Sequence, residues 1–187
     1  LAVILFDHHI YRNLMKHILL AVLLLLGVKT TTAQIVTNGD TLIGIGKFSF
    51  GDSLSKFTAD LKILPLPLKD GNKSYQYLAS LTDSIKIGNI NFNIVFLDFD
   101  STDRLITIYM SKFFRPKNFL KESRTQYENI IAYLNKTLNK EGVKKEYTSN
   151  IIHQYEWEKA NSKVMVELQE TKDFSSTSLG ITLTQFN

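Results

Sequence analysis

The sequence predicts an α+β fold, in which an antiparallel sheet of five to six strands carries one long and one short helix on one face. Residues 85–110 read IKIGNINFNIVFLDFDSTDRLITIYM. This alternating apolar run around an acidic turn indicates a long β-hairpin. Residues 118–141 place apolar side chains at spacings of three, four and seven, which indicates an amphipathic helix. The hairpin is apolar on both faces near its centre, so we expect it to lie in the middle of the sheet.

The segment 15–33 has the three parts of a secretory signal peptide. Lys16 and His17 precede an apolar core of 11 residues at 18–28, and small residues follow it up to Ala33. A helix that crosses a bilayer needs ~20 apolar residues, so the core is too short for a retained transmembrane segment. We expect cleavage after Ala33 and an exported protein, periplasmic or extracellular.

Residues 1–14 precede Met15, and we interpret them as an upstream extension. Residues 34–187 then form a single mature domain of 154 residues, which is long enough to bury a core. This domain has 19 basic and 17 acidic residues, and its net charge of +2 does not indicate a nucleic-acid partner. The absence of cysteine excludes disulfides, a thiol nucleophile and thiolate metal sites.

The mature domain begins with an alternating segment at 41–50, which predicts a first strand. Residues 53–61 are predicted to form the short helix, with Asp52 or Ser53 as its N-cap. The cap is expected because either side chain can accept hydrogen bonds from the first free backbone N–H groups of a helix.

Residues 63–68 read ILPLPL, and their two prolines exclude a helix interior. Two interpretations stay open for this segment. The segment is either a crossing loop whose leucines pack at the edge of the core, or an exposed apolar edge that binds a partner. Residues 74–81 are expected to add another strand before the hairpin.

After the hairpin the chain is predicted to form the long helix at 118–141, which Gly142 ends. The remaining residues alternate in three segments, around 151–157, 164–168 and 179–183. Short turns separate these segments, so we expect a three-stranded antiparallel meander.

The leader ending Thr-Thr-Ala-Gln, the segment FSFGDSLSKF and the strand RLITIYM resemble small exported proteins of Bacteroidetes-type bacteria. The order of helices and paired strands is also loosely similar to BamE-like and β-lactamase-inhibitor-protein-like envelope domains. That resemblance implies a domain that binds other proteins through a sheet face and is not an enzyme. It identifies no functional residue.

Five basic residues surround the start of the long helix. They are Lys112, Arg115, Lys117, Lys121 and Arg124. Basic groups at a helix N-terminus oppose its dipole, which favours a role other than helix stability. The run could bind an anionic envelope component or an acidic protein, or it could be a solvated face. Tyr155 and Trp157 share one strand face and are the other candidate binding residues.

The acidic turn brings together Asp98, Asp100 and Asp103. Calcium prefers such oxygen ligands, but the EF-hand glycine and the closing glutamate are both missing. We therefore predict a solvated hairpin turn and no metal site.

His153 is the only histidine of the mature domain and shares a strand face with Tyr155 and Trp157. A structural histidine is expected, and a general base is the alternative. The sequence has no G-x-S-x-G, Walker, G-x-G-x-x-G or H-E-x-x-H motif. We predict a non-enzymatic envelope binding module without a cofactor, acting on an unknown protein or an anionic component through its sheet face or basic helix start. The alternatives are a small exported hydrolase that uses His153 with a carboxylate, and an apolar-ligand carrier.

Overall fold

The computed structural model describes residues 34–64, 71–78, 85–114, 120–145, 152–170 and 176–186. In these residues thirteen strands form three sheets, and one α-helix accompanies them. The predicted architecture is therefore wrong, since the largest sheet has eight strands and not five or six, and the described residues hold one α-helix and not two. The upstream extension at 1–14 and the signal-peptide segment at 15–33 lie outside the described residues, as does most of the 63–68 segment.

The elements follow one another along the chain as β1 (Ile35–Asn38), β2 (Thr41–Ile45), β3 (Phe48–Ser49), β4 (Leu61–Ile63), β5 (Lys73–Tyr77), β6 (Ile85–Ile87), β7 (Ile90–Phe92), β8 (Ile94–Phe99), β9 (Leu105–Phe114), α1 (Leu120–Leu138), β10 (Val143–Lys145), β11 (Ile152–Lys159), β12 (Ser162–Glu170) and β13 (Thr177–Gln185). Strands β1, β2 and β3 form a small sheet, and β6 pairs with β7 alone. The large sheet has the order β10-β11-β12-β13-β9-β8-β5-β4, and all its neighbours are antiparallel.

Two of the predicted β motifs are confirmed. Strands β8 and β9 form the hairpin around the acidic turn, and β9 lies with β13 at the middle of the large sheet. Strands β11, β12 and β13 form the predicted meander. The first part of the 85–110 segment does not belong to the long hairpin, because β6 and β7 make a separate hairpin that turns at Gly88 with φ 57°.

The predicted short helix at 53–61 is wrong. Two 3₁₀ turns, Leu54–Lys56 and Thr58–Asp60, occupy this segment. Ser53 does cap the first turn, since its side chain accepts from Ser55 N. The backbone N–H of Leu54 donates to Asp103 O, and Leu105 N donates to Asp52 O. These bonds tie the segment to the turn of the β8–β9 hairpin, so the surrounding structure fixes its path.

The predicted long helix is confirmed as α1, but Gly142 does not end it. The helix stops at Asn139, which has φ 48°. Lys140 N donates to Asn135 O, and Asn139 N donates to Lys136 O. This pair of bonds is the Schellman pattern that closes a helix through a left-handed residue. Asn139 can take that conformation because its short polar side chain tolerates it.

One face of the large sheet carries the core. Helix α1 packs over β12 and β13, and the small sheet covers β5 through the edge-on pair Phe48–Tyr77, whose ring centroids are 5.2 Å apart. The ladder register aligns one fully buried side chain from each of five neighbouring strands on this face: Trp157, Val164, Leu183, Ile108 and Leu97.

The opposite face is the open sheet face. Its matching row consists of Glu156, Met165, Thr182, Tyr109 and Phe96, all of them half-buried. The only α-helix in the described residues packs on the other side of the sheet. Within the same residues no helix has the length and apolar character needed to span a bilayer.

Candidate functional site

A cleft of about 340 Å³ lies between α1 and the strands β10, β11 and β12. It is lined by Arg124, Tyr127, Glu128, Ile131, Lys144, His153, Tyr155 and Leu168. Three residues that the sequence singled out, Arg124, His153 and Tyr155, therefore meet at one place. We call this place the helix–strand cleft.

Helical and strand periodicity together build this cleft. On α1, Tyr127 and Glu128 are each three or four positions from both Arg124 and Ile131, so the four lining residues lie on one side of the helix. His153 and Tyr155 alternate on β11 and so share the sheet face that α1 covers. The helix packs over β12 and β13, which leaves β11 beside it and opens the cleft between them.

The floor of the cleft is buried and its walls are partly exposed. Tyr127 and Leu168 are buried, whereas Ile131, His153 and Tyr155 are half-buried. The rings of Tyr127 and Tyr155 form an edge-on pair with centroids 6.2 Å apart, and the Tyr127 and His153 rings are 6.5 Å apart. The cleft therefore offers a ring-lined surface, which is typical of small-molecule sites.

The hydroxyl of Tyr127 is buried and has no hydrogen-bond partner among the described residues. The side chain is 8% exposed. Burial raises the pKa of Tyr127 well above its ordinary value, and Tyr155 and Glu167 add to this effect. The hydroxyl therefore stays protonated at neutral pH. Its oxygen has no surface open to the cleft, and a buried polar group that lacks a partner costs about 1–3 kcal/mol.

The rim of the cleft is charged. Arg124 donates from Nε to Glu170 Oε1 at 2.8 Å and from Nη2 to Glu170 Oε2 at 3.0 Å. The Glu170 side chain is 1% exposed and that of Arg124 is 56% exposed. The hydrogen bond and charge of Glu170 raise the pKa of Arg124. Because Glu170 neutralises Arg124, the remaining rim charges are Lys144 and Glu128, which have opposite signs.

His153 lies in the cleft, but nothing in the described residues activates it. No hydrogen bond joins it to a carboxylate or a hydroxyl in that part of the chain, and no serine is among the lining residues. A hydrolase would need such a partner within hydrogen-bond reach.

Trp157 is not on an exposed surface. It is 0% exposed, and its Nε1 donates to Asn135 Oδ1 at 2.8 Å and to Lys140 O at 3.1 Å. Its ring lies 6.1 Å from that of Tyr155. Trp157 is therefore a core residue that packs against Tyr155 and does not itself line the cleft.

The basic run does not form one cluster in the described residues. Lys112 faces the helix, where its Nζ donates to Gln126 Oε1 at 3.0 Å and lies 4.9 Å from the centre of the Phe114 ring. Lys121 is exposed and lines a second, more polar groove of about 530 Å³ between α1 and β7. Arg115 and Lys117 lie outside the described residues.

The three acidic residues of the hairpin turn have separate surroundings. Asp100 Oδ1 accepts from the backbone N–H groups of Arg104 and Thr102 at 3.0 and 2.8 Å, and the Arg104 bond is the main cause that lowers the pKa of Asp100. Asp103 pairs with Lys73 at 2.8 Å. Asp98 lies on the open sheet face, where burial raises its pKa. In the described part of the chain no group of three or more potential metal-ligating side chains comes together.

Two contributions to the cleft were missed by sequence reasoning. Tyr127 occupies an apolar position of the helical pattern at 118–141, and such a position predicts a core residue and not a binding residue. Glu170 gave a clearer signal, because it follows Val164, Val166 and Leu168 at alternate positions of an inward strand face. A carboxylate in such a position requires a cationic partner, and Arg124 provides it.

Comparisons with family models, with curated proteins and with solved structures find no match for this chain. The resemblance to exported envelope domains therefore stays a prediction.

Proposed function

We propose that this protein is a non-enzymatic binding module and that the helix–strand cleft is its binding site. The observation that carries the proposal is the cleft of about 340 Å³ itself, which the half-buried rings of His153 and Tyr155 line together with charged side chains. Concave sites with aromatic and apolar walls and a few polar groups are typical of small-molecule binding.

The surroundings of His153 support binding over hydrolysis. A hydrolase that uses a chain hydroxyl as nucleophile would need that hydroxyl and an orienting carboxylate hydrogen-bonded to His153, and no such bond is present in the described residues. The open cleft with charged residues on its rim also favours a ligand with both apolar and polar parts over a purely apolar cargo.

The proposal can be tested by filling the cleft. The full chain is incubated with a small-molecule extract of the source cell and analysed by native mass spectrometry. Ile131→Trp fills the cleft, and Thr125→Trp is the matched control because Thr125 lines the second groove of the same helix. We expect wild type and the control to retain a small molecule that Ile131→Trp loses. Retention of nothing by wild type, or equal retention by all three chains, contradicts the proposal.

The open sheet face supports a second candidate function, docking of a protein partner. Phe96 and Tyr109 stack there with ring centroids 5.8 Å apart and an interplanar angle of 22°. Stacked aromatic side chains are enriched at protein interfaces. We expect Phe96→Ser to lose an envelope protein that wild type and Ile131→Trp both capture in a pull-down at raised salt. Equal capture by all three chains would exclude this surface.

Export is part of the proposal and is supported by the pattern of segment 15–33. Mass spectrometry of the protein from fractionated cells should find Gln34 as the first residue in the exported fraction. A cytosolic protein that retains segment 15–33 would contradict export.

A further inference from the structure

We propose that the open sheet face binds a basic segment of a protein partner, and that an arginine of this segment stacks on the rings of Phe96 and Tyr109. This inference deepens the second candidate function and rests on it. It is carried by the stacked rings at the centre of the face, by the half-buried carboxylates that flank them and by the position of the basic side chains in the described strands.

The two rings lie at the centre of the open sheet face. Phe96 on β8 and Tyr109 on β9 are cross-strand partners, both are half-buried, and their ring planes differ by 22°. The Tyr109 ring extends toward the next strand, since a Cβ added at Gly180 would lie 3.2 Å from it. Because Gly180 has no side chain, β13 leaves room for this ring. The planar guanidinium of arginine stacks on such rings through cation–π attraction.

A carboxylate lies on either side of the ring pair. Asp98 follows Phe96 by two positions on the same face of β8, and Glu167 on β12 is the cross-strand partner of Gly180. Alternate residues of a strand are about 7 Å apart and neighbouring strands about 4.8 Å apart. Each carboxylate is therefore within reach of a long side chain that lies on the rings, and a carboxylate can accept two hydrogen bonds from one guanidinium.

Neither carboxylate has a cationic partner among the described residues. Burial raises the pKa of Glu167. Burial is also the main cause that raises the pKa of Asp98, and a hydrogen bond from Ser74 opposes this effect. Both ionised groups are therefore partly desolvated without a compensating charge. A cation from a partner supplies that charge, so it gains more here than beside a fully hydrated carboxylate.

The basic side chains of the open sheet face lie away from the rings. Lys145 on β10 and Lys163 on β12 both pair with Glu156, at 3.2 and 3.4 Å, and Lys62 lies on the edge strand β4. On the described strands β13, β9, β8 and β5, this face carries no lysine or arginine. The centre of the face therefore complements a cation and not an anion. Its extent over several strands suits a protein segment.

Four matched peptides test this partner chemistry. The full chain is titrated at low salt with acetylated and amidated peptides Gly-X-Gly-X-Gly, in which X is arginine, citrulline, lysine or glutamate, and backbone amide shifts are followed by NMR. Citrulline keeps the size and the planar end group of arginine and removes its charge. We expect the arginine peptide to shift residues of the open sheet face and to bind at least about threefold tighter than the citrulline and lysine peptides. The glutamate peptide should bind most weakly.

Asp98→Asn and Glu167→Gln each remove one charge and keep the shape of the side chain. Each should reduce the preference for the arginine peptide over the citrulline peptide to about half, and the double variant should abolish it. Glu122→Gln is the matched control, because it removes the same charge from an exposed position on α1, which packs on the opposite side of the sheet. The control should keep the preference.

The possible failures separate this inference from the docking surface on which it rests. If the arginine and citrulline peptides bind equally, or if the preference survives in the double variant, the basic partner is wrong, while loss of a captured protein in Phe96→Ser still supports the surface. Equal binding of the lysine peptide overturns the stacked guanidinium, and tighter binding of the glutamate peptide overturns the sign of the charge. If Phe96→Ser captures the same protein as wild type, the surface is excluded and this inference fails with it.

Discussion

The ion pair between Arg124 and Glu170 should be required for the fold around the cleft. Arg124→Met leaves the carboxylate of Glu170, whose side chain is 1% exposed, without its two hydrogen bonds. Removal of one partner from a fully buried pair costs about 3–5 kcal/mol, and exposed pairs contribute about 0–1 kcal/mol. The Arg124 side chain is 56% exposed, so water can partly replace it. We therefore expect a loss of about 2 kcal/mol in the free energy of unfolding.

Urea unfolding of the full chain at neutral pH measures this loss. With a denaturant slope of about 2 kcal/mol/M, the midpoint should fall by about 1 M. Glu170→Gln keeps the shape of the side chain and should cost about 1 kcal/mol, because an amide oxygen still accepts from the guanidinium. The double variant Arg124→Met/Glu170→Met removes both partners and should be more stable than Arg124→Met alone.

The double-mutant cycle contains the result that would refute this reasoning. If Arg124→Met costs less than about 0.5 kcal/mol, the carboxylate of Glu170 does not depend on the arginine. If the costs of Arg124→Met and Glu170→Met are simply additive, the two side chains are not coupled. Either result would also remove the argument that Glu170 neutralises the rim of the cleft.

Three further predictions concern the residues around the cleft and the acidic turn. Tyr127→Phe should keep or raise the free energy of unfolding, by up to about 1 kcal/mol, because the lost hydroxyl has no partner; a clear loss in urea unfolding would contradict this. Gly142→Ala should cost about 1–3 kcal/mol, because its Cβ would lie 2.5 Å from the Trp157 ring, and the cost should shrink in a Trp157→Phe background measured in the same assay. The lowered pKa of Asp100 means that its ionised form stabilises the fold above the ordinary aspartate pKa and that this stability is lost as the pH falls through the folded pKa. Asp100→Asn should therefore lose less stability than wild type between about pH 5 and pH 2, and parallel thermal unfolding curves for the two chains over that range would contradict the assignment.

Local patterns explain which elements the sequence could predict. The helix α1, the β8–β9 hairpin and the β11–β13 meander each follow from a periodicity that lies within one stretch of chain. The eight-stranded sheet does not, because β13 pairs with β9 and β5 pairs with β8 across long separations in sequence. The segment 53–61 shows the same limit. Its apolar spacing fits an α-helix. The segment forms 3₁₀ turns instead, because its backbone is hydrogen-bonded to the turn of the β8–β9 hairpin.

The candidate site was predictable in part for a related reason. Alternation on β11 correctly places His153, Tyr155 and Trp157 on one face of the strand. Alternation alone does not show whether this face of β11 is exposed to solvent or covered by a helix, because its exposure depends on where α1 packs. The open sheet face was expected to carry Tyr155 and Trp157, and it instead carries Phe96 and Tyr109.

Trp157 and Tyr155 lie two positions apart on the same face of β11 and have different environments. The end of α1 explains this difference. Asn135 and Lys140 bond to the indole of Trp157, and Gly142 packs against it because it has no side chain. The helix terminus therefore seals Trp157 in the core. Tyr155 lies two residues earlier, beside the helix and not under its end, and stays half-buried with His153. The position of the Schellman turn at Asn139 thus sets one end of the cleft, and a shift of that turn should change binding in the cleft without any substitution of a lining residue.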